Sequence, residues 1–543
     1  MTASISGHPA LDTGDAQNIG LGLHSETPYV HRMAIHAASA PTASPPKVKH
    51  RALITGCVMV ATLMQVLDST IANVALPFMQ SSLDSTVDQI TWVLTSYVIA
   101  SAIMTAPVGW MAARFGRKRL FLICLAGFTI TSMMCGVAQS LPQMVVFRIL
   151  QGSFGAALVP LCQAIMLDIY PVEKRPQAMA IWGLGVMVGP ISGPTIGGWL
   201  TDAYNWRWVF YVNLPFGLLA MTGLALFLPK SMPNDKLRFD WTGFAALGIA
   251  LGSLQLMLDR GQEQDWFTSR EIMIECVLAA LGTYLFLVHM FTAKKPFIPP
   301  EIFKDRNFTS AMLIMGTTGM VLMASSALLA PYLENLAGYP VQTAGILMAP
   351  RGLGTMVAMI LAGKYGSRID SRVFMTIGVV VLASTLYSMS SWTPDVSQHQ
   401  MLVTLILQGF GMGWIFNPLS VIAYATLPAH FRADGAALLS LFRNIGAAVG
   451  ISITSFSLTR NAQTVHGVLS EVATPFNRLL HGGTPLARAL DPSTLHGAAT
   501  LDQMINRQAL IIAYNDDFLL MTWVTIPTLI LLAMMHRAGA PKR

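Results

Sequence analysis

Residues 89–138 read QITWVLTSYVIASAIMTAPVGWMAARFGRKRLFLICLAGFTITSMMCGVA, two apolar runs separated by a short basic connector. Each run has about the 20 residues that a helix needs to cross the hydrocarbon core of a bilayer. The connector contains Arg114, Arg117, Lys118 and Arg119. Because basic residues beside membrane spans favour the cytoplasmic side, this stretch predicts two antiparallel spanning helices joined inside the cell.

The same alternation of apolar runs and connectors continues along the chain. It predicts an all-α membrane protein with fourteen spans, placed approximately at 52–77, 89–112, 120–138, 142–165, 177–201, 208–228, 241–258, 272–292, 309–333, 342–362, 373–391, 401–426, 434–458 and 514–535.

The distribution of basic residues tests this count. If residue 1 lies in the cytoplasm, the inward connectors carry 23 of the 34 Lys and Arg residues, and the outward connectors carry seven. If one span had been missed or wrongly added, the bias would be inverted in all connectors that follow it in the chain. The pattern therefore supports fourteen spans, with both termini cytoplasmic.

Composition excludes several other classes of protein. Charged residues make up 11% of the chain and hydrophobic residues 53%, a balance too apolar for a soluble surface. The net charge of +7 comes from bases at the edges of spans, so membrane lipid is an expected partner and nucleic acid is not. The five cysteines lie in apolar runs without CxxC spacing, and enzyme motifs are absent. We therefore expect no metal, no cofactor and no enzyme activity.

Segments outside the spans define the expected domains. Residues 1–50, rich in Ala, Ser, Thr and Pro, are predicted to form a disordered cytoplasmic tail, with Met33 as an alternative start. The other expected units are an N-terminal six-helix half at 51–230, two inserted helices with a cytoplasmic linker at 231–305, a C-terminal six-helix half at 306–536 with a long periplasmic loop at 459–513, and a cytoplasmic tail at 537–543.

An internal repeat supports the two halves. Leu150-Gln151-Gly152 recurs as Leu407-Gln408-Gly409, 257 residues later, and Gly109-x4-Arg114 recurs as Gly363-x4-Arg368, 254 residues later. Chance similarity among apolar helices is the alternative, but it does not readily produce two nearly constant offsets. Repeated halves on either side of a midplane cavity are the usual architecture of secondary transporters.

Asp68 is interpreted as the only acid deep inside a span. A lone carboxylate there costs several kcal/mol unless it is paired, hydrated or protonated. Asp68 is therefore either a proton or cation site or one member of a permanent structural pair. Arg148, close to Gln151 in the fourth span, is the candidate partner that would pair with Asp68 or modulate its proton affinity.

Two further arginines, Arg351 and Arg443, also lie near the middle of spans. Deep arginines outnumber deep acids, so carbonyl groups, water or anionic substrate groups are expected to balance some of their charge. A purely structural role is the alternative for each. We assign Arg351, Arg443, Asn444, Gln65 and Asn73 to the predicted substrate cavity.

Glycine and proline dominate the fifth span. Gly185, Gly189, Gly193 and Gly197 recur every four residues, so one face of this helix permits close approach of a neighbour. Pro190, with Pro194, removes backbone donors and favours a bend. The pattern predicts a sliding or rocking interface, with a merely tight interface as the alternative.

These residues resemble the major facilitator superfamily, in its fourteen-span drug:proton antiporter branch of EmrB/QacA type, and especially the EmrB subgroup. The resemblance runs from about residue 50 to 536. Its motifs are Leu67 to Pro77, Gly109 to Lys118 with Arg114, Gly116 and Arg117, Arg148-x2-Gln151-Gly152, Gly189-Pro190 to Gly197-Gly198, Trp206 to Gly217, and Gln508 to Phe518.

The chain departs from the family pattern at one point. Ala113 stands where the loop motif usually has Asp, and Ser367 stands there in the second copy. In the family, that Asp takes part in a charge latch that closes the cytoplasmic side. The resemblance therefore leaves the latch of this chain without its usual acid.

The resemblance implies a fold and a function. The fold would be two six-helix halves plus two inserted helices. The function would be proton-driven export of amphipathic drugs across a bacterial inner membrane by alternating access. Asp68 would load and release the proton, Arg148 would tune it, and the glycine and loop motifs would serve the conformational change.

The resemblance also implies partners, and rivals to the predicted function remain. EmrB-like pumps work with a periplasmic membrane-fusion adaptor and an outer-membrane channel. The nearest alternative function is a dedicated exporter of one metabolite, such as a siderophore or fatty acid, and Arg351 and Arg443 would then favour an anion. A non-transporting membrane sensor is a weaker alternative.

Overall fold

The computed structural model describes residues 50–230, 233–234, 237–366, 368–472, 490 and 494–536. Within these ranges the regular structure is helical, without a strand. The predicted tails at 1–50 (apart from His50) and 537–543 lie outside the described residues, and so does Ser367.

The α-helices are numbered here in chain order. They are α1 Arg51–Ser82, α2 Val87–Ile90, α3 Trp92–Thr105, α4 Val108–Phe115, α5 Arg117–Val137, α6 Leu141–Gly155, α7 Leu158–Ile169, α8 Arg175–Ala203, α9 Trp208–Tyr211, α10 Asn213–Phe227, α11 Trp241–Arg260, α12 Arg270–Thr292, α13 Arg306–Pro331, α14 Val341–Tyr365, α15 Ser371–Met389, α16 Gln398–Ala425, α17 Arg432–Val472, α18 Leu495–Thr525 and α19 Thr528–Ala533.

These helices account for the predicted spans. Twelve helical stretches of the described chain are long and apolar enough to cross a membrane. The pair α3 and α4, bent by 58°, provides another span. With α8, which is 29 residues long, every one of the fourteen predicted spans corresponds to a helix or a helix pair. The protein is a multi-pass membrane protein.

Local chemistry explains several helix boundaries. The side chains of Asp240, Asp305 and Asp370 accept hydrogen bonds from the first backbone N–H groups of α11, α13 and α15. Between α4 and α5, Gly116 has a φ of 82°, a conformation that glycine adopts without steric cost. The basic connector thus turns sharply at its glycine.

The internal repeat is visible in the helix packing. Gly152 of α6 lies against the carbonyl oxygen of Tyr97 in α3, and Gly409 of α16 lies against the carbonyl oxygen of Arg351 in α14. The two glycines are related by the offset of 257, and the two carbonyl groups are related by the offset of 254. Both halves therefore use a glycine at the same place to bring two helices together. The exact domain boundaries stay a prediction.

The two inserted helices, α11 and α12, pack on each other where Gly282 meets the backbone of Ala250. Gly248 and Gly252 of α11 face Ile103 of α3, and a Cβ at either glycine would lie 3.5 Å from that side chain. A cavity of about 460 Å³ lies between this helix pair and α17, with mainly apolar residues around it. The inserted pair is thus placed beside both halves.

The predicted loop at 459–513 contains more helix than its sequence indicated. Helix α17 continues to Val472, and α18 begins at Leu495. A helix of 41 residues is about 60 Å long, twice the thickness of a hydrocarbon core. Both helices therefore extend beyond the membrane, where polar side chains are solvated and no apolar run is needed.

Candidate functional site

Asp68 lies on α1 and is fully buried, with three donors around its carboxylate. Arg148 donates from Nη1 to Oδ2 over 3.0 Å. Gln151 donates from Nε2 to Oδ1 over 2.8 Å, and Asn213 donates from Nδ2 to the same oxygen over 2.7 Å. Arg148 and Gln151 are three residues apart on α6, so they share one helix face. We call these four residues the Asp68 cluster.

A second set of contacts holds the donors in place. Arg148 donates from Nε to the Val93 carbonyl oxygen over 3.0 Å, and its guanidinium lies 4.2 Å from the centre of the Tyr97 ring. Asn213 also donates to Ser132 Oγ over 2.9 Å. Because each donor has its own support, the carboxylate is surrounded by polar groups that need not reorganise to hold its charge.

The chemistry of the Asp68 cluster depends on charge balance. Arg148 is 1% exposed, so both members of the pair are removed from water. Breaking such a buried pair by removing one partner costs about 3–5 kcal/mol. Protonation of Asp68 would likewise leave Arg148 without its counter-charge. The cluster can therefore couple the proton occupancy of Asp68 to the positions of α1, α6 and α10.

Sequence reasoning did not identify three members of this site. Asn213 was noted only as part of the Trp206–Gly217 motif, and Ser132 and Tyr97 were not singled out. A polar amide inside an otherwise apolar run was the available signal for Asn213. No local pattern shows which span it faces.

The two other first-span candidates differ in position. Gln65 is partly buried and donates from Nε2 to Tyr97 Oη over 3.2 Å, so it adjoins the Asp68 cluster. Asn73 is exposed, and no hydrogen bond of its side chain is found among the described residues. Only Gln65 is therefore connected to the polar network.

Arg351 lies in the second half and is held without a carboxylate. It donates to Ser326 Oγ over 2.9 Å, to Ser325 Oγ over 3.0 Å and to the Leu322 carbonyl oxygen over 3.3 Å. All three acceptors belong to α13. Arg351 is therefore bonded within its own half.

Arg443 and Asn444 occupy α17 and are partly buried. In the described part of the chain, neither side chain makes a hydrogen bond or an ion pair. Gly319 of α13 packs against the Arg443 backbone, so this contact joins α13 to α17 without using the guanidinium group. No direct contact joins Arg443 to Arg351 among the described residues, so the cavity predicted from both stays a prediction.

A separate group of ionic side chains joins the two halves. Asp168, at the end of α7, forms ion pairs with Arg117 of α5 and with Arg432 of α17, the latter at 3.1 Å. We call this part of the bundle the Asp168 end. Gly109 of α4 lies directly against the side chain of Asp434 in α17.

These contacts change the interpretation of the Ala113 departure. The loop motif lacks its usual acid, but Asp168 and Asp434 place two carboxylates beside Arg117. The acid that the motif lacks is therefore replaced by acids on two other helices. Arg114 of the motif is partly buried and donates from Nη1 to the Asn234 carbonyl oxygen over 3.4 Å.

Other contacts between the halves also lie toward the Asp168 end. Gln163 donates to Ser420 Oγ over 3.3 Å and accepts from Tyr424 Oη over 3.2 Å. Helices α8 and α14 also meet toward this end, where Gly183 packs against Met359 and Gly363 packs against Ala180. The halves are therefore joined at the Asp168 end.

The glycine stripe of α8 faces α1. Gly185 lies against Met59, Gly189 against Val66, and Gly193 against Thr70. Continuing the series, Gly197 meets Ile71, whereas Gly198 is outside the stripe. The side chain of Pro190 lies outside the described residues. The stripe brings α8 onto the helix that carries Asp68.

A second acid, which the sequence analysis did not single out, is also fully buried inside the protein. Asp517 of α18 has no exposed surface, and neither of its carboxylate oxygens makes a hydrogen bond within the described residues. The predicted span began at 514, which placed Asp517 near a membrane edge. The observed helix begins at Leu495, so Asp517 is well inside it.

The chain is similar in sequence to a known protein family and to individual members of it. A sequence model described as Major Facilitator Superfamily matches residues 58–451. The chain is 34% identical over 492 residues to the multidrug export protein EmrB of Escherichia coli, covering 90% of this chain and 95% of that protein.

Two further similarities extend the comparison. The chain is 33% identical over 480 residues to the fatty acid resistance protein FarB of Neisseria gonorrhoeae, covering 87% of this chain and 94% of that protein. The solved structure of the proton:xylose symporter XylE has 13% identity and a TM-score of 0.56. That comparison covers 88% of this chain and 95% of XylE, and it supports the fold alone.

Proposed function

The chain belongs to the Major Facilitator Superfamily, with its EmrB-like multidrug exporters, and from this premise we propose that it exports amphipathic small molecules in exchange for protons. The single observation that carries the coupling is the Asp68 cluster: a fully buried carboxylate whose only cationic hydrogen-bond partner in the described chain is Arg148. Proton binding at Asp68 would release Arg148, and proton loss would restore the pair. Asp68 and Arg148 are therefore the coupling residues.

Alternating access follows from the contacts between the halves. The Asp168 end is closed by ion pairs and hydrogen bonds between the halves. By the distribution of basic residues, the Asp168 end is cytoplasmic and both termini lie in the cytoplasm. The structure then corresponds to a state closed toward the cytoplasm. The glycine stripe of α8 against α1 is the surface along which the helices shift.

Two observations support an assembly with other proteins in the bacterial inner membrane. The relatives EmrB and FarB come from Gram-negative bacteria. In this chain α17 and α18 extend beyond the membrane at the end opposite to Asp168. We propose that this projection contacts a periplasmic adaptor, which connects the pump to an outer-membrane channel.

A dedicated exporter of one anionic metabolite is the second candidate. Arg443 favours it, because this deep guanidinium has no anionic partner among the described residues. The relative FarB is named for resistance to fatty acids, which are anionic and amphipathic. In a competition panel, a dedicated pump would be inhibited by few compounds and would not export cationic dyes, and an Arg443→Gln variant would lose transport of the anion.

The first test is accumulation of a hydrophobic cationic dye in a pump-deficient Gram-negative host. We expect cells that express the chain to hold less dye and to lose this advantage when a protonophore is added. Asp68→Asn should accumulate dye like the empty host. Asp84→Asn, which changes an exposed acid in the loop after α1, is the matched control and should pump normally.

Either of two results would count against the proposal. One is Asp68→Asn pumping against a gradient at the wild-type rate. The other is dye export by the wild type that is insensitive to the protonophore.

A further inference from the structure

We propose that Asp517 is a second proton-binding carboxylate, located in the second half of the protein and protonated in the state seen here. The inference rests on the proposed proton-coupled function and extends it to a residue outside the Asp68 cluster. Its basis is the position of Asp517: a fully buried acid with no hydrogen bond to either oxygen in the described chain.

The groups recorded near the Asp517 carboxyl supply no positive charge. Tyr514 is three residues before Asp517 on α18, on the same side of the helix, and its ring lies 5.6 Å from the ring of Tyr332. The Ser457 hydroxyl of α17 is close enough to interact with the carboxyl group. One hydroxyl cannot balance a full negative charge, so the site favours the neutral acid.

The charged groups on the same helix bundle are engaged elsewhere. On α18, Arg507 donates to the Leu336 carbonyl oxygen over 3.3 Å, and Asp502 pairs with His466 of α17 at 3.0 Å. Arg460 of α17 lies over the ring of Phe456. None of these groups forms an ion pair with Asp517.

The remaining neighbours do not supply a positive charge either. Asp516 is exposed and adds a charge of the same sign. Arg372 of α15 bonds Asp370 and the Met535 carbonyl oxygen at the far end of the helices. Arg443 is 14 residues before Ser457 on α17, which corresponds to about 20 Å of helix. A proton is therefore the simplest neutralising partner.

Helix α17 physically connects the Asp517 site to the Asp168 end. Its first turn carries Arg432 and Asp434 at the Asp168 end, and its later part carries Ser457 beside Asp517. Because both groups belong to one continuous helix, opening the Asp168 end would move Ser457 relative to Asp517. Water reaching the carboxyl group in that state would take its proton, leaving a carboxylate that is solvated.

The test uses the full-length protein in lipid nanodiscs and the infrared C=O band of protonated carboxylic acids at neutral pH. Asp517→Asn should remove a component of this band. Asp516→Asn, the exposed acid next to it, is the matched control and should leave the band unchanged. Asp517→Glu keeps an acid at the position and should shift that component without removing it, which controls for misfolding of the Asn variant.

A second measurement follows proton movement in proteoliposomes during export of tetraphenylphosphonium. We expect fewer protons moved per substrate in Asp517→Asn than in the wild type, and no change in Asp516→Asn. An unchanged infrared band in a folded Asp517→Asn protein overturns the proposal, as does an unchanged proton ratio. The wild type could move no protons at all while the infrared band changes as expected. In that case the proposed proton-coupled function is wrong, but the protonation of Asp517 is still supported.

Discussion

The two halves of the molecule share their helix packing and differ in the chemistry placed on it. At the offset of 254, Asp68 corresponds to Leu322, and Tyr97 corresponds to Arg351. At the offset of 257, Arg148 corresponds to Leu405. The first half therefore has a buried Asp–Arg ion pair at positions where the second half has two leucines. The second half has a buried arginine where the first half has a tyrosine.

The glutamine that both halves retain shows the consequence. Gln151 donates to Asp68 over 2.8 Å and accepts from Arg148. Its counterpart Gln408 contacts only the sulfur of Met389 at 3.7 Å, and its buried Oε1 has no partner in the described chain. The backbone of the repeat is preserved, because close glycine contacts set it. The polar network has diverged, because the side chains that face the glutamine differ between the two halves.

The largest expected effect on stability comes from removing one member of the buried ion pair in the first half. Arg148→Met should lower the free energy of unfolding by about 3–5 kcal/mol, because Asp68 would stay buried without its cation. Thermal unfolding in detergent would measure this. The double variant Asp68→Asn with Arg148→Met should recover much of the loss. No recovery would show that packing of the arginine, and not its charge, is what matters.

Glycine variants test whether the two halves share their packing. Gly152→Ala and Gly409→Ala each place a methyl group against a carbonyl oxygen of the neighbouring helix. We expect both to lower stability by a similar amount, about 1–3 kcal/mol, and to impair export. Gly56→Ala is the control, since no atom in the described structure lies within 4 Å of its Cβ position. Tolerance at only one of the two sites would argue against equivalent packing.

The arginine of the second half should matter less for stability than that of the first. Ser325 and Ser326 already donate to the Leu322 carbonyl oxygen, so they keep a partner when Arg351 is removed. Arg351→Met should therefore cost about 1 kcal/mol. Unfolding measurements beside Arg148→Met would show the difference. Equal losses would contradict the view that only the first half depends on a buried ion pair.

The smallest stability effect is expected at the contact between the halves. Asp168 is about one-third exposed, so its ion pairs with Arg117 and Arg432 should contribute less than about 1 kcal/mol. Asp168→Asn should instead shift the conformational population toward opening of the Asp168 end. Reaction of a cysteine introduced at Ser420 with a membrane-impermeant thiol reagent, in inside-out vesicles, should become faster. An unchanged rate would show that Gln163 and Tyr424 close this end without the ion pairs.

Sequence reasoning identified the site residues that stand out as charges inside apolar spans. A carboxylate deep in a span needs a partner, so Asp68 and Arg148 could be suggested together. The family match confirmed the predicted superfamily and fold class. The assigned roles of Arg351, Arg443 and Asn444 were not tested by any contact with one another, and they stay predictions.

Other parts of the site could not be obtained from the sequence. Asp168 and Arg432 are 264 positions apart, and no local pattern predicts that they form an ion pair. Asp517 was not singled out, because hydropathy does not show which side chains of a helix are packed inside the protein. The replacement of the missing motif acid likewise required knowing which helices meet at Gly109.

The sequence by itself determined the class of protein, the approximate number of spans and the internal repeat, and it predicts the orientation of the spans. These properties depend on hydropathy, charge and spacing, which are local and can be counted along the chain. Only the tertiary structure decided which polar groups meet: three donors at Asp68, two arginines at Asp168 and, within the described ranges, no cation at Asp517. The reason is physical, since the energy of a buried charge is determined by the atoms within a few ångströms of it, and those atoms come from helices far apart in the chain.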